Sequence, residues 1–151
     1  MSLKGKTLYA YVAGIIDGDG HIGIYRINTA KQKRFAIRVT VGTTSEWLSQ
    51  FLQFHFGGST HISPRPEHKS IWFWAVSAKK AEQVIELLLP YLQLKRPQAE
   101  LALSFQHRKH PRHTPLPDAE RALEETDRIL MHKYNGLYGR PKEMKEMKEV
   151  K

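Results

Sequence analysis

Residues 6–18, KTLYAYVAGIIDG, form an almost unbroken run of apolar and small side chains, and the chain then reads Asp19-Gly20. This run predicts a buried helix ended by glycine, with Thr7 available as its cap. Ala10, Gly14 and Gly18 recur at i, i+4 and i+8, so one side of that helix is nearly bare and a second helix backbone can approach it closely. An aspartate at a helix C-terminus meets the negative end of the helix dipole, which disfavours it. A divalent cation gives Asp17 and Asp19 a reason to be there, because hard ions take carboxylate, carbonyl and water oxygens and the last helical carbonyls are free. The plainer alternative is a DGDG turn that only stops a hairpin.

Beyond Gly20 the residues alternate with period two. In GHIGIYRIN, Ile22 and Ile24 face one way and His21, Gly23 and Tyr25 the other; in RFAIRVTV, Phe35, Ile37, Val39 and Val41 oppose Arg34, Ala36, Arg38 and Thr40. The polar segment NTAKQK joins them as a hairpin loop. A helix capped by Thr44 or Ser45 runs to Gly57-Gly58, followed by a second hairpin, STHIS and SIWFWAV, and a helix from AKKAEQ onward. In that hairpin Trp72 and Trp74 are expected on opposite faces, one of them toward a groove or the sheet edge. Pro97 suits the first turn of another helix, and Asp118 caps a last one. The expected fold class is α+β, ordered α-β-β-α-β-β-α with additional C-terminal helices: one domain over 1–139 and a charged tail over 140–151.

With 151 residues the chain can bury one core. It has no cysteine, which excludes disulfides and thiolate metal sites. The absence of a membrane-length apolar run and of a secretory-type start implies a soluble, intracellular protein with no membrane partner, its compartment or organelle unspecified. The formal charge of +9 suits a polyanion. Residues 1–44 carry seven cations against Asp17 and Asp19, mostly in the strand region, and a basic sheet face fits a DNA groove better than a bilayer.

The stretch Val12-Ala13-Gly14-Ile15-Ile16-Asp17-Gly18-Asp19-Gly20 resembles the LAGLIDADG motif, with apolar-for-apolar changes and Gly18 in the alanine position. The resemblance is to the single-motif, homodimeric LAGLIDADG homing endonucleases, and it extends through Pro90-Tyr91-Leu92-Gln93-Leu94-Lys95-Arg96-Pro97-Gln98-Ala99. It implies a homodimer packed through Ala10, Gly14 and Gly18 that makes a double-strand break at a long, roughly palindromic DNA site. It implies Asp19 and the Gly18 carbonyl as ligands of Mg²⁺, with Mn²⁺ substituting, Lys95 as the active-site lysine and a structural role for Asp17. No small-molecule substrate is implied. Two positions depart from the family: Val41 stands where a glutamine commonly reaches the active-site water, leaving Thr40 or Thr43 as substitutes or a site that relies on the metal and Lys95 alone, and Ser45 stands where arginine is frequent.

The candidate DNA contacts are Tyr25, Arg26, Lys31, Lys33, Arg34, Arg38, Thr40, Arg65 and Lys69, since arginine in the major groove reads guanine and other polar groups position the duplex. His107, His110 and His113 recur three apart, but Pro111 interrupts them and no acidic ligand lies beside them in sequence, so a solvated basic loop is expected there. Two other functions fit the same fold: an RNA-binding maturase assisting intron splicing, and a DNA-binding regulator descended from a nuclease.

Overall fold

The computed structural model describes residues 2–27, 33–110 and 115–139. In chain order the elements are α1 (Gly5–Asp19), β1 (Gly20–Arg26), β2 (Phe35–Thr43), α2 (Glu46–Phe56), β3 (Ser59–Ser63), β4 (Ile71–Ser77), α3 (Ala78–Leu88), a 3₁₀ turn (Leu89–Tyr91), α4 (Arg96–His107) and α5 (Asp118–Gly139). The expected α+β order is observed. Lys31, His113 and the tail 140–151 lie outside the described residues.

The four strands form one antiparallel sheet in the order β1-β2-β4-β3. Alternation places Ile22, Ile37, Val39, Val41, Trp74 and Val76 on one face, all essentially inaccessible, against Val12, Ala13 and Ile16 of α1, Leu52 of α2 and Val84, Ile85 and Leu88 of α3. Each such aliphatic side chain contributes roughly 1.5–3 kcal/mol by leaving water. The opposite face has no helix over it among the described residues. Trp72 and Trp74 lie on the same, helix-covered side, because residues two apart on a strand share a face. The groove-side aromatic of β4 is therefore Phe73.

Helix α1 starts and ends slightly beyond its predicted bounds. Its cap residue is Lys4, without a side-chain bond, and Thr7 lies inside the first turn. The helix continues through Asp19 and closes with the Gly20 N–H on the Ile16 carbonyl. A Cβ on Gly20 would approach the Ile16 backbone to 2.6 Å. Glycine there lets β1 turn directly under the helix end, which fixes Asp19 at the rim of the sheet.

Two further local signals act as expected, whereas Asp118 is not the cap of the last helix but its first residue, since the Arg121 N–H already bonds the Pro117 carbonyl. The Ser45 hydroxyl caps α2 by accepting from Leu48 N–H at 3.2 Å, and α4 begins with Pro97 in its first turn. Gly58, at φ +87°, leaves no room for a Cβ beside the Ala75 carbonyl. Helix α5 runs along the outer edge of β1, where the Asn135 amide donates to the Ile22 carbonyl at 3.0 Å and satisfies part of an otherwise unpaired strand edge.

Candidate active site and nucleic-acid face

The end of α1 meets the segment before α4. Both carboxylate oxygens of Asp17 accept backbone N–H groups, from Gln93 at 2.8 Å and from Lys95 at 2.9 Å. The Lys95 ammonium returns to the same residue, donating to the Asp17 carbonyl at 2.6 Å. This three-bond clamp holds Lys95 beside the last turn of α1. Burial pushes the Lys95 pKa down from its ordinary value, while the Asp17 and Asp19 carboxylates oppose that shift. Asp17 is thus occupied as an anchor, and Asp19 is exposed at the helix end next to Gly18, also exposed.

His21 belongs to the same cluster, although its sequence pattern marks it only as a strand-face residue. Burial lowers its pKa, and the Lys95 charge lowers it further. Its Nδ1 lies 2.8 Å from the Tyr25 hydroxyl. Gly23 sits between these two rings, where a Cβ would come within 2.9 Å of both. The Arg38 guanidinium stacks 5.0 Å over the Tyr25 ring, and its Nε donates to Ser77 Oγ at 3.2 Å. Burial raises the Tyr25 pKa, against the pull of Arg38.

Strand pairing extends this open face. His21 opposes Thr40, Thr40 opposes Ala75, Ala75 opposes Ser59, and His61 lies across from Phe73 with their rings stacked at 5.1 Å. Of the candidate DNA contacts, Tyr25, Arg38 and Thr40 are on this face. Arg65 and Lys69 are exposed in the β3–β4 loop, where Arg65 donates twice to the Lys69 carbonyl, at 2.7 and 3.0 Å.

Three candidates sit elsewhere. Arg34 is only 9% exposed, because the residue just before β2 is covered rather than presented with Arg38. Arg26 opposes Phe35 and so lies on the helix side of the sheet, although at its exposed end. Lys33 pairs with Glu125 of α5 at 3.0 Å.

The two departures from the family pattern also find places. Val41 is fully buried opposite Gly20, and Thr43 Oγ1 accepts from Ser45 N–H at 3.0 Å. Thr40 and His21 are the polar groups that remain on the open face near Asp19. On α1, Ala10, Gly14 and Gly18 are exposed, and a Cβ built on Gly14 or Gly18 meets nothing within 4 Å. Trp47, 62% exposed, stacks on Phe51, and Tyr11 meets Phe51 edge-on. The described helices include none long and apolar enough to cross a membrane.

No protein-family model matches the sequence. The DNA endonuclease I-CvuI of Chlorella vulgaris is 33% identical over 102 residues, which is 64% of this chain and 62% of that protein. The chain therefore spans under two thirds of that relative's length. The solved structure of I-CvuI in complex with its target in the presence of Ca superposes with a TM-score of 0.63 at 23% identity, covering 87% of this chain and 81% of that one. The archaeal intron-encoded homing endonuclease I-Vdi141I, complexed with DNA, gives 0.55 at 10% identity, covering 85% and 96%. At such identities the structures speak for the fold. The aspartate-bearing small-residue helix and the open antiparallel sheet give the chain the fold of these solved homing endonucleases, and in sequence it is similar to a DNA endonuclease.

Proposed function

We propose that the chain is a site-specific DNA endonuclease that makes a metal-dependent double-strand break as a homodimer. The observation that carries this reading is the juxtaposition of a free Asp19 carboxylate with the clamped Lys95 ammonium at the rim of an open, cation-bearing sheet face. The oxygen donors fit Mg²⁺, with Mn²⁺ as substitute. Asp17 has both carboxylate oxygens engaged, so Asp19 and the Gly18 carbonyl are the groups that would hold the ion. A divalent ion supplies activation of water and charge neutralisation on the phosphate. Lys95 stabilises negative charge on the same phosphate from a position that Asp17 keeps fixed.

Binding and specificity belong to the sheet. An antiparallel ribbon enters the major groove with Tyr25, Arg38 and Thr40 leading, and Arg65 and Lys69 follow at the hairpin tip. Thr40 and His21 take the polar position that Val41 vacates. One Asp19–Lys95 pair serves one strand. A second copy, docked on the bare Ala10–Gly14–Gly18 stripe, supplies the other and makes the target roughly palindromic.

The test is selection of duplexes from a randomised pool in Ca²⁺, followed by transfer to Mg²⁺ or Mn²⁺. Cutting of both strands in the recovered duplexes, lost in Asp19→Asn, is the expected result. Tight, selective binding with no cutting in either ion would favour the regulator, and preference for structured RNA would favour the maturase.

A further inference from the structure

On α3 and α4, three side chains converge that the sequence leaves far apart. Glu82 and Glu86 are four residues apart on α3 and share one of its faces. His107, at the end of α4, reaches them with Nε2 at 3.4 Å from Glu82 Oε1 and 3.6 Å from Glu86 Oε1. One ligand atom from each residue lies within 4.8 Å of the other two.

These separations are too long for hydrogen bonds, which fall at about 2.7–3.2 Å for N–H···O. They match the edge of a coordination tetrahedron, since metal bonds of about 2.0–2.2 Å put neighbouring ligand atoms roughly 3.3–3.6 Å apart. Glu82 has only 13% of its side chain exposed, and its other cation, Lys79, stands off at 3.7 Å. A second observation points into the same cleft. Gln106 Oε1 is buried without a hydrogen-bond partner on a wall it shares with Glu82 and His107.

We propose that Glu82, Glu86 and His107 bind a transition-metal ion of the Zn²⁺ class, with water completing the coordination. One imidazole and two carboxylates favour such an ion over Mg²⁺ or Ca²⁺, which prefer all-oxygen sites. The ion cross-links α3 to α4, the two helices that flank the segment carrying Lys95. Because it binds the folded chain alone, it acts as a brace for that junction.

The experiment uses the full chain carrying Asp19→Asn, so that the only carboxylate left at the proposed cutting site is that of Asp17, both of whose oxygens are engaged. Co²⁺ is titrated by its visible absorption, and thermal melts are run with and without Zn²⁺. One ion per chain and a raised melting temperature are expected. Glu86→Gln and His107→Gln should each weaken binding about a hundredfold or more, since even outer partners of a metal ligand cost 10–100-fold. Both side chains are half exposed, so the metal-free melts should not move. His110→Gln, whose imidazole pairs with Glu120 instead, should bind as the parent does. Unchanged affinity in both ligand variants, or saturation only at millimolar metal, would overturn the site.

Discussion

Asp17 and Lys95 hold each other by two bonds across 78 residues of chain, the Lys95 N–H donating to the Asp17 carboxylate and the Lys95 ammonium to the Asp17 carbonyl, and the Gln93 N–H takes the other carboxylate oxygen. Asp17 thus has both carboxylate oxygens engaged, while Asp19, two residues on, is exposed. Asp17→Ala should cost about 2 kcal/mol, the scale of charge-assisted hydrogen bonds lost from a half-buried site. For a chain of this size that lowers the melting temperature by roughly 5 °C. Asp19→Asn should leave the melt unchanged or slightly raised, because it removes a charge from the negative end of α1. Calorimetry on the two variants decides it; equal losses would mean that Asp19 also holds the fold.

The same pair should separate binding from cutting. Asp19→Asn is expected to keep DNA affinity in Ca²⁺ and to lose cleavage in Mg²⁺ by orders of magnitude, because the ion that stabilises the developing charge loses its ligand. Lys95→Met should bind as well as wild type and cut poorly, with a smaller loss. Near-normal cutting by a well-folded Asp19→Asn protein would remove the catalytic assignment.

His21 gives a pH signature. Burial and the Lys95 charge lower its folded-state pKa below the ordinary 6.5. Between that lowered value and 6.5 the unfolded chain binds a proton that the folded chain refuses, so stability falls as pH drops through this window and levels off below it. His21→Gln should flatten that part of the profile. Urea midpoints in a chelator, measured from about pH 5 to 7.5, test this. A slope that persists in the variant would assign it to other groups.

Arg38 and Arg34 should behave differently although sequence alternation assigns both to the groove face. Arg38 is pre-set by Tyr25 and Ser77 on the open face. Arg38→Ala is expected to reduce the log-log salt slope by about 1 if it meets a phosphate, or to relax one base position if it reads guanine. Arg34 is buried, so Arg34→Ala should lower stability and change DNA binding little beyond that. The reverse outcome would place Arg34 in the groove.

The elements are legible in the sequence because period-two and helical patterns report burial, and those patterns give the order and most helix ends correctly. Partners distant in sequence are not. Nothing in the order of residues marks Gln93 and Lys95 as the backbone donors to Asp17, and nothing shows that α5 lies along β1 and takes Lys33 onto Glu125. Arg34 departs from its expected place because β2 begins one residue after it, where the alternation stops. The histidines at the end of α4 and just beyond it lack acidic neighbours along the chain, yet folding brings Glu82 and Glu86 to His107 and Glu120 to His110. Val41 is legible as a missing glutamine, but only the pairing of His21 with Thr40 shows which polar groups stand nearest.

The bare side of α1 should be where two copies meet. Leu8, Val12, Ala13 and Ile16 commit one face of this helix to the core, so its opposite side, Ala10, Gly14 and Gly18, is free to meet another surface. A Cβ on Gly14 meets nothing within 4 Å in the single chain. Gly14→Leu should therefore leave the monomer folded, and replacing glycine inside a helix stabilises it by up to about 1 kcal/mol. Against a second copy the same side chain holds two helix backbones apart, because close approach depends on small residues at the crossing. Sedimentation should find wild type as a dimer and Gly14→Leu as a folded monomer. With one Asp19–Lys95 pair per particle, the variant should nick single strands at most and lose double-strand cutting. Gly14→Ala, a smaller step, should retain part of both the dimer and the activity. A wild-type protein that sediments as a monomer both free and on its selected DNA, or a Gly14→Leu protein that remains dimeric and cuts normally, would move the interface away from α1.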